Sequence, residues 1–197
     1  MHIVLWTVIG FCSGSIPFSY WLGKLFLQTD IRQYGDGNPG ASNAWRAGRY
    51  KIGFPSLILD YLKGAIPVGL AKYIFGVSGL GLIPVALSPV FGHAFSPFLG
   101  FRGGKAVAST FGIWTGLTLW EGPTVLGIFL GISYLLQKAD AWSVIISMTG
   151  LLIYLVFRQY ESFILIIWAG NIFVLIMKHL HSLRQGIQLK SYPRKKN

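Results

Sequence analysis

Long apolar stretches separated by short polar connections set the frame of this chain. Seven segments are apolar over lengths near what about 30 Å of hydrocarbon demands. They run over 3–27, 52–75, 79–98, 105–119, 122–137, 142–157 and 161–178, the fourth and sixth being short. Each predicts a helix, because a backbone in lipid must satisfy its own hydrogen bonds. Small residues recur four apart at Gly10/Gly14, Gly112/Gly116 and Gly127/Gly131, a spacing that predicts close helix contacts. Tryptophans and tyrosines near segment ends suit interfacial anchoring. The pattern predicts an all-α membrane protein of about seven transmembrane helices. One polytopic domain is expected over 1–185 and a basic tail over 186–197.

Composition agrees. Of 197 residues, 53% are hydrophobic and 12% charged, whereas a soluble domain carries about 25% charged residues. Mean hydropathy is +0.56. The net charge of +11, from 17 Lys+Arg against 6 Asp+Glu, lies between the apolar segments and in the tail. A nucleic-acid binder would gather such charge in a stripe on a soluble fold. Here it predicts membrane orientation and affinity for anionic lipid, with no nucleic-acid partner. Arg32, Arg46, Arg49 and Lys51 follow the first segment, Arg102 and Lys105 the third, and Lys138 the fifth. Lys178, Arg184, Lys190, Arg194, Lys195 and Lys196 close the chain, while the opposite connections hold Arg158, Glu121 and Glu161. The positive-inside rule then predicts an outer N-terminus, a cytoplasmic tail and every Gly-rich connection in the cytoplasm. The one cysteine, Cys12, excludes an internal disulfide and argues against a cysteine metal site. The first segment lacks a cationic start and a small-residue cleavage site, so it reads as a retained span.

Two polar connections hold the candidate chemistry. The stretch Gly92-His93-Ala94-Phe95-Ser96-Pro97-Phe98-Leu99-Gly100-Phe101-Arg102-Gly103-Gly104-Lys105-Ala106 joins paired glycines to cations at the edge of an apolar segment. Exposed backbone N–H groups beside a lysine suit a phosphate. At a membrane edge that phosphate belongs to a lipid precursor or a nucleotide. The first connection, Gly35-Asp36-Gly37-Asn38-Pro39-Gly40-Ala41-Ser42-Asn43-Ala44-Trp45-Arg46, is a second anion cradle or an ordinary turn. Ser42 and Asn43 are expected to cap a helix starting near Ala44, with Arg46 a turn further on the same side. Asp60 and Lys63, three residues apart within a span, are expected to pair. They serve as a structural ion pair or support the anion site. His93 reads as a packing residue or a participant. His179 and His181, without nearby carboxylates, do not argue for a metal site. No nucleophile–base set or HExxH is present, so no covalent intermediate is implied. Two cradles with cations and no general base fit direct acyl transfer from a phosphorylated donor, driven by positioning and electrostatics.

These residues resemble the bacterial integral-membrane glycerol-3-phosphate acyltransferases that use acyl phosphate. The resemblance runs through Gly14-Ser15-Ile16-Pro17-Phe18-Ser19-Tyr20, Gly37-Asn38-Pro39-Gly40-Ala41-Ser42-Asn43 and Leu59-Asp60-Tyr61-Leu62-Lys63-Gly64. It continues through Gly92-His93-Ala94-Phe95-Ser96-Pro97 and Phe101-Arg102-Gly103-Gly104-Lys105-Ala106-Val107-Ala108. It implies seven spans in a bacterial plasma membrane and an active site open to the cytoplasm. It implies transfer from acyl phosphate to glycerol 3-phosphate, giving 1-acyl-glycerol 3-phosphate and phosphate, the first step of phospholipid synthesis. No cofactor, metal or acyl carrier is implied, and the donor's own phosphate takes the acceptor proton. Membrane lipids and the acyl-phosphate-producing enzyme are the implied associates. Ser42, Asn43, Arg46, His93 and Lys105 become the implied catalytic residues. Asn38, Gly40, Lys63, Gly103 and Gly104 become the implied phosphate binders. Gly103, Gly104, Lys105 and His93 would serve the donor end, and Asn38, Ser42, Asn43 and Arg46 the acceptor end.

Departures from the family pattern are local. Asp36 stands where the family has a functionally important serine, and it is expected to repel phosphate unless it points away or pairs with Arg46. Lys138-Ala139-Asp140-Ala141-Trp142-Ser143 replaces a serine-rich start to the sixth span. The last motif, Lys178-His179-Leu180-His181-Ser182-Leu183-Arg184-Gln185-Gly186-Ile187-Gln188, lacks the family's asparagine and glutamate. Two other classes remain open at this point. One is a paralogue with another acceptor, or one that only binds acyl phosphate or lipid. The other is a small transporter of a phosphorylated metabolite, with Asp60 and Lys63 lining its path.

Overall fold

A computed structural model describes residues 2–187, 189 and 190; of the expected tail, residues 188 and 191–197 lie outside the described residues. Helices fall on all seven apolar segments. The first segment is two helices, α1 (His2–Ser15) and α2 (Phe18–Leu27), broken at Ile16-Pro17. Proline lacks the N–H that would continue the ladder. The second is α3 (Ala41–Gly69), which bends at Arg49 (φ 51, ψ −147) and ends in a wider π-helical turn, Leu70–Ile74. Then follow α4 (Leu82–Ala94), α5 (Val107–Thr118), α6 (Glu121–Leu136), α7 (Asp140–Phe157) and α8 (Ser162–Leu183).

By length and composition, four stretches suffice to cross a membrane: His2–Leu27, Gly79–Leu99, Asp140–Phe157 and Ser162–Leu183. Helix α6 is apolar but shorter. Helix α3 carries charge in its middle. Helix α5 has 12 residues, a rise of about 18 Å. The segment expected to span over 105–119 is therefore helical over only part of a bilayer's depth.

Helix α1 packs along α4, α3 along α5, and α6 along α7, while α8 lies against α4 and α7. Two of the three glycine pairs make these contacts. A Cβ at Gly14 would lie 2.6 Å from the Pro89 Cα, and one at Gly116 would lie 2.8 Å from the Gly69 amide nitrogen. Gly112 approaches the Tyr61 carbonyl, and Gly92 the backbone of α1, in the same way. The third pair is different. Nothing lies within 4 Å of a Cβ at Gly131, and Gly127 would meet only the Phe111 ring at 3.9 Å. The expected contact fails there because α6 turns this face to open space rather than to a neighbouring helix.

One set of polar groups inside the bundle is paired across helices. Trp114 Nε1 donates to Asn171 Oδ1 (3.0 Å), and Asn171 Nδ2 donates to Thr110 Oγ1 (2.9 Å), tying α5 to α8. Ile113, Trp114 and Leu117 of α5 are fully enclosed. A Gly14→Ala variant is expected to lose about 1–3 kcal/mol, because rigid backbone must move. Gly131→Ala, which meets nothing, is expected to be neutral or slightly stabilising. Thermal unfolding in detergent checks both, and equal midpoints for the two variants would contradict the α1–α4 packing described.

Candidate active site

The loop 34–40 and the first turn of α3 form one wall of a cavity of about 580 Å³. Gly35 (φ +57) and Gly37 (φ +74) take backbone conformations that glycine alone adopts without strain, and they place Asp36 between them. Asp36 Oδ1 accepts from the Asn38 amide (3.2 Å) and from Asn43 Nδ2 (3.0 Å). Asn43 Nδ2 also donates to the Asn38 carbonyl (2.9 Å). Helix α3 begins at Ala41, with extended Gly40 as its cap and no side-chain capping bond. The expected start near Ala44 is thus three residues late. Ser42 and Asn43 sit inside the first turn, because Gly40 already supplies the extended residue that precedes it. Arg46 follows, its guanidinium lying over Gly35 with no ion-pair partner among the described residues.

The opposite wall comes from α5. Lys105 immediately precedes its N-cap, Ala106, which is left-handed (φ 62). Lys105 Nζ lies 2.5 Å from Asp36 Oδ2. The expectation that Asp36 either points away or pairs with Arg46 is therefore corrected: its cationic partner is Lys105. Burial acts to raise the Asp36 pKa, but the Lys105 ammonium and the Asn38 and Asn43 bonds outweigh it. The carboxyl is held below the ordinary carboxylate range. A third wall comes from the start of α7, where Asp140 and Ser143 face in. Gln137 at the end of α6 donates to Ser143 Oγ (2.9 Å). The N-termini of α3, α5 and α7 therefore open on one cavity, and each presents partial positive charge to an anion.

Seven of the ten residues singled out in the sequence line this cavity: Asn38, Gly40, Ser42, Asn43, Arg46, His93 and Lys105. Lys63, Gly103 and Gly104 do not. Lys63 turns inward, with Nζ 2.7 Å from Asp60 Oδ1 and donating to the Ile16 carbonyl at 2.8 Å. Gly103 and Gly104 are glycines for packing. A Cβ at either position would strike His93, at its carbonyl oxygen or its ring. The Gly104 amide donates to the His93 carbonyl (3.0 Å), and the Gly103 carbonyl accepts from Lys178 Nζ (2.9 Å). These backbone groups hold the loop against α4 and α8 rather than facing the cavity.

Beneath Lys105 lies a buried polar cluster. Ser19 Oγ donates to Asp60 Oδ2 (2.6 Å), and the Asp60 and Lys63 side chains are each 2% exposed. Asp60 reaches the cavity wall, and His93 beside it places Nδ1 3.8 Å from Asp60 Oδ1. Two residues gain importance that the sequence did not disclose. His179, buried in α8, places Nδ1 2.8 Å from the Leu175 carbonyl. A carbonyl only accepts, so Nδ1 carries a proton, and in the neutral ring the lone pair lies at Nε2. Asp140 likewise joins the wall. Their signal in the sequence was slight, one histidine and one aspartate at the polar ends of two apolar helices.

The far end of the cavity is apolar. Leu57, Ile58 and Tyr61 of α3 face Phe111 of α5 and Leu130 and Tyr134 of α6. Tyr61 donates to Thr115 Oγ1 (2.9 Å) and joins α3 to α5 there. Among the described residues no cluster of His, Cys, Asp and Glu gathers that could hold a metal ion. The arrangement suits a ligand with an anionic head and a long apolar tail.

Comparison with known proteins points the same way. A family model described as glycerol-3-phosphate acyltransferase matches residues 4–188. The chain is 41% identical over 194 residues to glycerol-3-phosphate acyltransferase 1 of Thermotoga maritima, covering 91% of this chain and 95% of that one. It is 31% identical over 186 residues to the glycerol-3-phosphate acyltransferase of Streptococcus pyogenes serotype M5, covering 91% and 87%. The fold is similar to the crystal structure of PlsY (YgiH), an integral membrane glycerol 3-phosphate acyltransferase, in its glycerol 3-phosphate form. The TM-score is 0.86 at 26% identity, over 94% of this chain and 92% of that chain. The lysophosphatidic acid form gives 0.79 at 28% identity, over 94% and 91%.

The buried pair makes a prediction about stability. Asp60→Asn leaves the Lys63 ammonium enclosed without its carboxylate, and is expected to cost about 3–5 kcal/mol. Adding Lys63→Met removes the stranded charge and is expected to recover most of the loss. Urea or thermal unfolding in detergent measures both. An Asp60→Asn protein as stable as the parent would show that the pair does not hold the bundle.

Proposed function

Because the chain belongs to the glycerol-3-phosphate acyltransferase family, we propose that it acylates glycerol 3-phosphate with acyl phosphate as donor, giving 1-acyl-glycerol 3-phosphate and phosphate. One observation carries this reading: a single cavity joins an anion-binding polar end to an apolar end beside the lipid-facing helices. An acyl phosphate has that division of chemistry in one molecule. Its phosphate would meet Lys105 and the N-terminus of α5, and its chain would lie along Leu57, Ile58 and Phe111.

Glycerol 3-phosphate would place its phosphate near Arg46 and the first turn of α3, at Asn38, Gly40, Ser42 and Asn43. The Asn43 Oδ1 atom has no hydrogen-bond partner among the described residues. It and His179 Nε2 are acceptors for the substrate's hydroxyls. In the reaction the acceptor oxygen bonds to the acyl carbon, the bond from that carbon to the phosphate oxygen breaks, and the leaving phosphate takes the proton. Lys105 and the helix N-termini favour the step by neutralising charge that moves onto phosphate. His93, Asp60 and Lys63 hold the loops that bring these groups together, and Gly103 and Gly104 allow His93 its place.

The reading extends to the surroundings. The chain crosses a bacterial plasma membrane seven times as one domain over 1–185. The cavity faces the cytoplasm on the side where the basic loops lie, and the basic tail stays with it near anionic headgroups. The donor comes from an acyl-phosphate-producing enzyme.

The purified protein in detergent, given palmitoyl phosphate and glycerol 3-phosphate, is expected to release lysophosphatidate and phosphate in equal amounts. Lys105→Ala is expected to slow this about 100-fold. Turnover with a thioester donor but none with palmitoyl phosphate would overturn the donor assignment. An undiminished Lys105→Ala rate would remove Lys105 from the site.

A further inference from the structure

The anion cradle in this chain already holds an anion, and it is the chain's own. The Asp36 carboxylate receives three donors at once: Lys105 Nζ at 2.5 Å, Asn43 Nδ2 at 3.0 Å and the Asn38 amide at 3.2 Å. Asn43 is fully buried and lines the cavity, as do Asp36, Asn38 and Lys105. A phosphate oxygen set on this wall would need the same donors. Asp36 and a substrate phosphate compete for Lys105 because like charges cannot share it without a large electrostatic penalty in a half-enclosed site.

The loop around Asp36 suits exchange. Its side chain is 45% exposed, whereas that of Lys105 is 25% exposed. The residue stands between two glycines with positive φ; a Cβ at Gly37 would meet only the Arg32 carbonyl at 3.6 Å, whereas Gly35 packs closely on Arg46 and Asn43, so the freedom lies on the Gly37 side. Lys105, the less exposed of the two, stands directly before the α5 N-cap, Ala106. The carboxylate is therefore the member of the pair that can move into solvent.

We infer that Asp36 is an internal competitor for the phosphate site, closing it when it is empty and yielding Lys105 when a substrate phosphate arrives. It weakens the hold on every phosphate that enters, including the inorganic phosphate left after transfer. Its role is to lower product retention, with Lys105 as the shared cation. This rests on the reading of the cavity as the acyl-transfer site. The competition itself is read by binding alone.

Inorganic phosphate is the probe, titrated by calorimetry onto the full-length protein in detergent without donor or acceptor. Asp36→Asn keeps the shape and one acceptor but removes the charge. It is expected to bind phosphate about three- to fivefold more tightly than the parent, the scale of a partly exposed ion pair. Asp36→Ser, which also removes the charge, is expected to agree, and it guards against a folding defect in one variant. Lys105→Ala is expected to weaken binding, and adding Asp36→Asn to it should change nothing further. Unchanged or weaker phosphate binding in both Asp36 variants would overturn the inference and make Asp36 part of the cradle. So would a full Asp36→Asn effect persisting in the Lys105→Ala background. Tighter binding in the Asp36 variants, with a parent protein that transfers no acyl group, would leave the inference standing and overturn the proposed reaction instead.

Discussion

An apolar bundle has no water with which to satisfy a broken backbone, and this chain breaks its backbone in the first apolar segment. At Ile16-Pro17 the helix stops, which frees the carbonyls of Ser15 and Ile16. Ser96 Oγ donates to the first (2.5 Å) and Lys63 Nζ to the second (2.8 Å). Lys63 enters that setting only because Asp60 neutralises it from the same helix face, and Ser19 just past the break completes the carboxylate. One proline thus requires a buried lysine, the lysine requires an aspartate, and the aspartate requires a serine. The chain of requirements fixes α2, α3 and the loop after α4 against one another.

The candidate active site is built on that fixed point. Asp60 touches the cavity from below, and His93 rests between it and the glycines of the following loop. Those glycines are the reason the loop can close on α4, and its closure delivers Lys105 to the start of α5. Two further helix starts, of α3 and α7, meet there. None of these helices carries a side-chain cap at its N-terminus. Their first amide groups are thus left to whatever anion the cavity takes.

Apolar length was a sound guide to which segments become helices, because burial in lipid acts on long stretches and averages over details. It flagged the short fourth segment that becomes α5, but it could not reveal the break at Pro17 as a place of tertiary bonding. The phosphate motif was legible in location but not in the division of labour. Lys105 and the first turn of α3 face the cavity, whereas Gly103 and Gly104 serve the close approach of His93. Glycine beside lysine signals tight backbone contact, and the partner in that contact can be a ligand or another part of the chain. Asp36 shows the same limit from the other side. Its charge suggested repulsion, and only the three-dimensional arrangement reveals that Lys105 meets it. His179 was set aside only as a metal ligand, because its meaning at the cavity lies in one bond to Leu175, which fixes the tautomer.

The short α5 has a consequence for the membrane as an electrical insulator. The cavity reaches from its polar mouth to Phe111, the fifth residue of a 12-residue helix. Next along α5 comes the enclosed layer of Ile113, Trp114 and Leu117, tied to α8 through Asn171. These side chains do more than fill space. As a packed apolar layer beyond the cavity, they oppose the passage of water and ions along α5.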